Sequence, residues 1–166
     1  MLDKKLMHPG DILLYRVISS SGWSAKFIGW GQKVIGHAPT KKTEYCHVAL
    51  VAFDTEFVME AVWPKTRIHK IEWEKWDKEY DLQLFRVKNV TPKQIVEALT
   101  WAEDHLGEWY DVLELLGGWI NFKHCEICST YVQKAWKAAG IDFKVNKNNF
   151  VTPDEIASSL LIERIQ

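Results

Sequence analysis

The chain has 166 residues, of which 47% are hydrophobic and 26% charged, a composition typical of one soluble globular domain. Its formal net charge of −1 argues against nucleic acid as a partner, because phosphate binding requires a concentrated basic surface. No apolar run reaches the roughly 18 residues of a membrane span, so we expect no transmembrane segment. The N-terminal residues lack the apolar core of a signal peptide, which predicts a cytoplasmic protein.

The first half of the chain is predicted to form β-structure. Pro9-Gly10-Asp11 is a turn signal that precedes a β-like apolar run. Asp54-Thr55-Glu56 separates two apolar runs closely enough to predict an antiparallel hairpin. An amphipathic helix is expected over residues 24–35, and the Trp-rich stretch after residue 62 is expected to be irregular. The predicted strands are residues 12–17, 47–53, 57–62 and 82–87.

The second half is predicted to be helical. Thr91, Pro92 and Gln94 form a capping-box start, and the helix that follows is expected to stop at Gly107. A second helix is predicted over residues 129–139 before Gly140, and a third after Thr152. No repeat or linker divides the chain, so we expect a single domain over residues 1–166. The fold class is therefore α+β, with a small antiparallel sheet or partial barrel packed against helices.

Cys128 is the first candidate for chemistry. Three cysteines without a secretion signal do not indicate a disulfide framework. Cys128 stands at the start of the second predicted helix, where the helix dipole and free backbone N–H groups favour a thiolate. The same N–H groups can stabilise an oxyanion during acyl transfer. The alternative is that Cys128 is a small buried core residue.

His47 and Glu60 are the candidate partners of the thiol. His47 opens one strand of the predicted hairpin, and Glu60 interrupts the apolar run of the other. If Asp54 and Thr55 form the loop, Glu60 lies opposite Ala49 on the same face as His47 and diagonal to it. A carboxylate there can orient the imidazole, as in catalytic triads. The alternatives are a surface histidine and a strand carboxylate that faces water.

Five short motifs follow one another along the chain: Pro9-Gly-Asp-Ile-Leu-Leu-Tyr15, His47-Val-Ala-Leu-Val51, Glu60-Ala61, Leu106-Gly-Glu-Trp-Tyr-Asp111 and Cys128-Ser-Thr-Tyr-Val132. In this order they resemble the circularly permuted NlpC/P60 (papain-like) cysteine hydrolase superfamily, in its YiiX-like and LRAT-like branch. In that branch the histidine strand precedes the cysteine helix, the reverse of the papain order. The resemblance covers roughly residues 9–140, with Cys125 and the region of Trp73 and Trp76 outside the pattern.

The resemblance implies a permuted papain-like fold in which Cys128 is the nucleophile, His47 its base and Glu60 the third polar residue. Neither a metal nor another cofactor is implied. The Gly107–Tyr110 motif would support the site, with Tyr110 as a wall or hydrogen-bond donor. The residues expected to bind substrate are Tyr15, Trp30 and Tyr110.

Three other interpretations compete with a thiol enzyme. Cys125 and Cys128 form a C-x-x-C, which with Cys46 and His47 suggests a zinc site, but adjacent strand residues point to opposite faces. The second is a thioredoxin-like redox role, which would require the C-x-x-C directly after a βαβ strand, and that context is missing. A regulatory disulfide between Cys125 and Cys128 remains an alternative. The third interpretation is a non-catalytic domain with a papain-like fold that binds a ligand without turnover. The remaining histidines are interpreted as surface residues: His8, His37, His69, His105 and His124.

The function expected from the sequence is cysteine-dependent hydrolysis of a peptide or peptidoglycan-type amide bond through a thioester. The alternative within the same fold is a lipid-directed thiol acyltransferase or esterase. A peptide, lipid or other small-molecule substrate is therefore the expected partner. An open polar groove would favour peptides, whereas an apolar tunnel roofed by Phe27, Trp30 and Ile35 would favour acyl chains.

Overall fold

The protein has an α+β fold, built on one β-sheet with helices packed against it. The computed structural model describes residues 2–17, 44–73, 80–110, 125–126, 128–143 and 151–166. A 3-10 turn at Lys4–Leu6 precedes the first strand. The helices are α1 (Pro92–Asp104), α2 (Cys128–Ala138) and α3 (Pro153–Ala157). The strands are β1 (Ile12–Val17), β2 (His47–Val51), β3 (Phe57–Val62), β4 (Lys65–Lys70), β5 (Tyr80–Val87), β6 (Trp109–Tyr110), β7 (Cys125–Glu126) and β8 (Ile162–Arg164).

The strands form one sheet in the order β7-β6-β4-β3-β2-β1-β5-β8. The six strands β4, β3, β2, β1, β5 and β8 pair with their neighbours in antiparallel orientation. At the β4 edge, β6 pairs antiparallel with β4, and β7 pairs in parallel with β6. Leu50 lies opposite Met59 and Val51 opposite Val58, which confirms the register predicted for the β2–β3 hairpin. That register places His47 and Glu60 on one face.

Two apolar clusters cover the two faces of the sheet. Val48 and Leu50 belong to the cluster beneath the helices, whereas Ala49 and Val51 belong to the cluster on the opposite face. This alternation follows from the period of two in a strand that is buried on both sides. Helix α2 packs against both β2 and β3, and α1 packs against α2. The start of α2 is thereby held against the sheet near the start of β2.

The local signals for the helices are confirmed. Thr91 and Gln94 form a capping box at the start of α1, and Thr152 and Glu155 form another at α3. Gly140 follows α2 with φ of +81°, a left-handed conformation that favours glycine at a helix end. Helix α2 begins at Cys128 itself, one residue earlier than the range expected from the sequence.

The main difference from the sequence-based prediction is β4. The stretch after residue 62 was expected to be irregular, yet Lys65–Lys70 pairs along its whole length with β3. Its mostly polar side chains gave no apolar alternation, because β4 lies near the edge of the sheet and four of its six residues are exposed. The helix expected over residues 24–35 lies outside the described residues. In the described part of the chain, no helix is long and apolar enough to cross a bilayer.

Candidate active site

Cys128 is the first residue of α2 and is buried, with 4% of its surface exposed. The backbone N–H groups of the first turn of a helix have no partner within the helix, and here they include those of Ser129 and Thr130. The helix runs for 11 residues, long enough for its dipole to favour negative charge at this end. A helix start of this kind favours negative charge near Cys128 and can donate to an oxyanion there.

His47 is the first residue of β2 and links the thiol to a carboxylate. Its Nε2 donates to Oε2 of Glu60 over 2.7 Å, and Cys128 lies close enough to raise the pKa of the imidazole. Since Nε2 is engaged by Glu60, Nδ1 is the ring nitrogen left for the thiol. Tyr15 lies opposite His47 in the β1–β2 pairing, and the two ring centroids lie 5.0 Å apart in an edge-to-face arrangement. The imidazole is thus held between three neighbours.

Glu60 is a buried carboxylate that accepts hydrogen bonds from three side chains. While Oε2 accepts from His47, Oε1 accepts from Nε2 of His69 over 2.8 Å and from a guanidinium nitrogen of Arg67 over 3.1 Å. The carboxylate side chain is 4% exposed, so it is not a strand charge that faces water. A buried charge with several donors is stabilised as an anion and fixed in orientation.

The electrostatics of the site favour an imidazolium. Burial lowers the pKa of His47, but the negative charges of Cys128 and Glu60 and their hydrogen bonds outweigh it and raise that pKa to about 10. Burial raises the pKa of Glu60, but the charges and hydrogen bonds of His47 and His69 bring it well below its usual range. The imidazolium therefore persists through neutral pH and is lost as the pH rises through about 10.

Two residues of the site were not identified from the sequence. His69 was interpreted as a surface residue, and this is wrong, because its side chain is 23% exposed and donates to Glu60. Arg67 was not singled out at all. Both lie on β4, whose register places Arg67 opposite Glu60 and His69 opposite Val58. The available signal was the alternation of Arg67 and His69 after the Trp63-Pro64 turn, which puts both on one face of a strand.

The three residues expected to bind substrate have different outcomes. Tyr15 is 3% exposed and packs against His47, and burial raises the pKa of its phenol well above the ordinary value. In this position it supports the imidazole. The backbone of Tyr110 lies in β6, parallel to Glu126 of β7, while its side chain lies outside the described structure. Trp30 also lies outside the described residues, together with Phe27 and Ile35.

The side chains considered as zinc ligands do not form a metal site among the described residues. Cys46 directs its thiol to the carbonyl oxygen of Tyr15 at 3.3 Å, and burial raises its pKa to about 12, so it remains a thiol. His47 is committed to Glu60 and Cys128. Among the described residues, no group of three or more His, Cys, Asp or Glu side chains is arranged to hold a metal ion. The side chain of Cys125 lies outside this set.

Comparison with known proteins identifies the fold. No protein-family model and no curated sequence matches the chain. Among solved structures, the chain is similar to the crystal structure of the metalloprotein YiiX from Escherichia coli O157:H7, described as DUF1105. The two share 16% identity at a TM-score of 0.66, over 96% of each chain. At this identity the likeness shows a shared fold along nearly the whole length of both proteins.

Proposed function

We propose that this protein is a cysteine hydrolase with a permuted papain-like fold, in which Cys128 is the nucleophile, His47 the base and Glu60 the residue that orients His47. One observation carries the proposal: a mostly buried imidazole is bound to a buried carboxylate at 2.7 Å and lies close to a thiol at a helix start. This is the nucleophile–base–orienter arrangement that activates a thiol for covalent catalysis.

The first step is attack by the thiolate on a carbonyl carbon. The proton of Cys128 passes to His47, whose raised pKa makes the imidazole a good proton acceptor. The new sulfur–carbon bond moves the carbonyl electron pair onto oxygen, and the first N–H groups of α2 stabilise that oxyanion. When the oxyanion collapses, the bond to the amine or alcohol breaks and His47 supplies the proton to the leaving group.

The second step releases the acyl group from the thioester. His47, now neutral, accepts a proton from water as the water oxygen attacks the thioester carbonyl. The tetrahedral intermediate collapses, the carbon–sulfur bond breaks and the electron pair returns to sulfur as thiolate. The carboxylic acid leaves and loses its own proton to solvent, while the proton taken from water remains on His47 and restores the imidazolium–thiolate pair. Glu60 stays ionised throughout, because its three donors stabilise the anion. Its role is to hold the imidazole and stabilise its positive charge.

Hydrolysis is favoured over transfer to a second acceptor because water requires no additional binding site. An amide of a peptide or peptidoglycan type is the expected substrate, and lipid-directed acyl transfer is the alternative. The observation that would separate them, an apolar roof formed by Phe27, Trp30 and Ile35, lies outside the described residues. The chemistry at Cys128 is the same for both substrates, so it can be tested with a simple ester.

The YiiX protein is described as a metalloprotein. The donor set of this chain does not fit a metal centre in the described region, because Glu60 is already bound to His47, His69 and Arg67. The proposed steps therefore use only side chains, backbone N–H groups and water. A chelator such as EDTA is expected to leave the rate of ester hydrolysis unchanged, and a loss of rate that zinc restores would contradict this assignment.

The proposal is tested by hydrolysis of a p-nitrophenyl ester and by mass spectrometry of the acyl-enzyme. The wild type should release nitrophenolate in a burst and carry the acyl group on Cys128. Cys128→Ser should lose both, while Cys46→Ser, which removes the other described buried cysteine, should keep the burst. Acylation of Cys46, or turnover by Cys128→Ser at the rate of the wild type, would overturn the proposal.

A further inference from the structure

A surface of basic and aromatic side chains lies beside the candidate site. We call it the β4 surface, formed by Trp63, Lys65, Arg67 and Trp109. Trp63 and Trp109 are 68% and 56% exposed, and the Arg67 side chain is 55% exposed. Large exposed aromatic side chains next to a reactive centre are a common sign of a binding surface. The mechanism uses Arg67 only through its contact with Glu60 and does not use the other three residues.

The sheet aligns this surface with His47, the proposed base. Lys65 is paired with Val62 on one side and with Trp109 on the other. Extension of the Leu50–Met59 and Val51–Val58 pairing along both strands would bring His47 opposite Val62. His47, Lys65 and Trp109 therefore follow one row across the sheet on one face. Two strand spacings of about 4.8 Å separate β2 from β4, so the backbone of Lys65 is about 10 Å from that of His47.

The charges of the β4 surface are positive and only partly neutralised. Nζ of Lys65 lies 4.7 Å from the ring centroid of Trp109, and Lys65 forms no ion pair with any described residue. Arg67 shares the carboxylate of Glu60 with two histidines and keeps more than half of its side chain in solvent. The surface is thus basic although the chain as a whole carries a net charge of −1.

We propose that the β4 surface is a subsite that binds the carboxylate of an acyl substrate whose reacting carbonyl lies at Cys128. Arg67 already binds one carboxylate, and its planar fork has further donors for a second. Lys65 adds a second positive charge. The side chains of Trp63 and Trp109 pack against the part of the substrate that links its carbonyl to its carboxylate. The inference rests on the proposed role of Cys128 as nucleophile and names the substrate class: small acyl compounds with a carboxylate about 6–10 Å from the carbonyl.

The test uses alkylation of Cys128, which requires no turnover. Three iodoacetamides carry N-alkyl chains of equal length that end in a carboxylate, a methyl or an ammonium group, and the thiolate displaces iodide from each. Peptide mass spectrometry gives the rate at Cys128 alone. The wild type should react about three to tenfold faster with the carboxylate probe than with the methyl probe, and slowest with the ammonium probe.

Charge reversal isolates the contribution of Lys65. Lys65→Glu should bring the carboxylate-to-methyl rate ratio to about one or below, and Lys65→Met should give an intermediate ratio. The matched control is Lys4→Glu, because Nζ of Lys4 also lies over a Trp ring, that of Trp73, at 4.8 Å. The control should keep the wild-type ratio, and high salt should reduce the ratio of the wild type.

The outcomes separate this inference from the proposed function. A ratio that is the same in the wild type and Lys65→Glu would overturn the subsite even if esters are hydrolysed. A Lys65-dependent ratio without ester hydrolysis would support the subsite and count against the hydrolase. A phosphate-ended probe that reacts faster than the carboxylate probe would overturn the carboxylate assignment, as would a wild-type preference for the ammonium probe.

Discussion

Two buried carboxylates of the same sheet have opposite consequences for the protein. Asp11 is 1% exposed, and its oxygens accept from Nε and a terminal nitrogen of Arg86 at 2.8 and 2.7 Å and from the backbone N–H of His8 at 2.8 Å. Glu60 is 3% exposed and also has an arginine partner, but it is bound in addition to two imidazoles.

The two carboxylates differ in whether their hydrogen-bond donors can change protonation near neutral pH. The arginine and the backbone amide bound to Asp11 do not change protonation near neutral pH, so the Asp11 cluster is a fixed structural clamp. It joins the turn before β1 to β5, 75 positions apart in the chain. The Glu60 cluster contains His47, whose proton moves to and from the neighbouring thiol in the proposed mechanism. A carboxylate acquires a chemical role when its partner is titratable and reaches a nucleophile.

The largest expected effect is that of Glu60→Gln on hydrolysis. The amide keeps the shape of the side chain but removes the charge that stabilises the imidazolium, so kcat/KM should fall about 10²–10⁴-fold. The same change should lower the pKa of His47, which is raised in part by the charge of Glu60. Ester kinetics and an NMR titration of His47 measure the two effects. An unchanged kcat/KM in a folded variant would remove Glu60 from the site.

Asp11→Asn should show the reverse pattern. Loss of the buried charge leaves Arg86 without its counter-ion, and the free energy of unfolding should fall by about 2–3 kcal/mol. Thermal unfolding should shift down by about 5–10 °C. The kcat/KM of the folded fraction should stay within about twofold of the wild type. If activity falls as steeply as in Glu60→Gln, the distinction between the two carboxylates fails.

Gly10→Ala tests the turn that positions Asp11. Gly10 has φ of +84°, and an added Cβ would lie 3.2 Å from both Cγ2 of Ile95 and Cζ2 of Trp136. The strained backbone and the close contacts should reduce the free energy of unfolding by about 1–2 kcal/mol. Gly107→Ala provides a comparison, because Gly107 has φ of +85° but no atom of the described residues within 4 Å of an added Cβ. Equal losses in denaturant titrations would show that the contacts contribute nothing.

The smallest effect is expected at His69. Replacement by Leu removes one of the donors to Oε1 of Glu60, but Arg67 remains, so kcat should fall by about fivefold or less. His69→Gln keeps a donor within reach and should recover most of the rate. A loss in His69→Leu as large as that in Glu60→Gln would give His69 a direct part in the reaction.

The sequence predicted those parts of the site that local patterns determine. The interrupted apolar run placed Glu60 beside His47 through the hairpin register, and a helix start placed Cys128. What could not be predicted depends on pairing between strands. Lys65–Lys70 has no apolar alternation, so Arg67 and His69 appear only when β4 pairs with β3. Asp11 was identified as a turn residue, but nothing local indicates its bond to Arg86.

The most direct test is the rate of alkylation of Cys128 by iodoacetamide as a function of pH, in the wild type and in His47→Ala. With a raised pKa at His47, the imidazolium–thiolate pair should make Cys128 react rapidly below pH 7 and faster than Cys46. His47→Ala should remove that reactivity and leave the profile of an ordinary thiol, with a midpoint near about 8.5. If Cys128 shows that ordinary profile in both proteins, the thiol is not activated and the proposed chemistry is wrong.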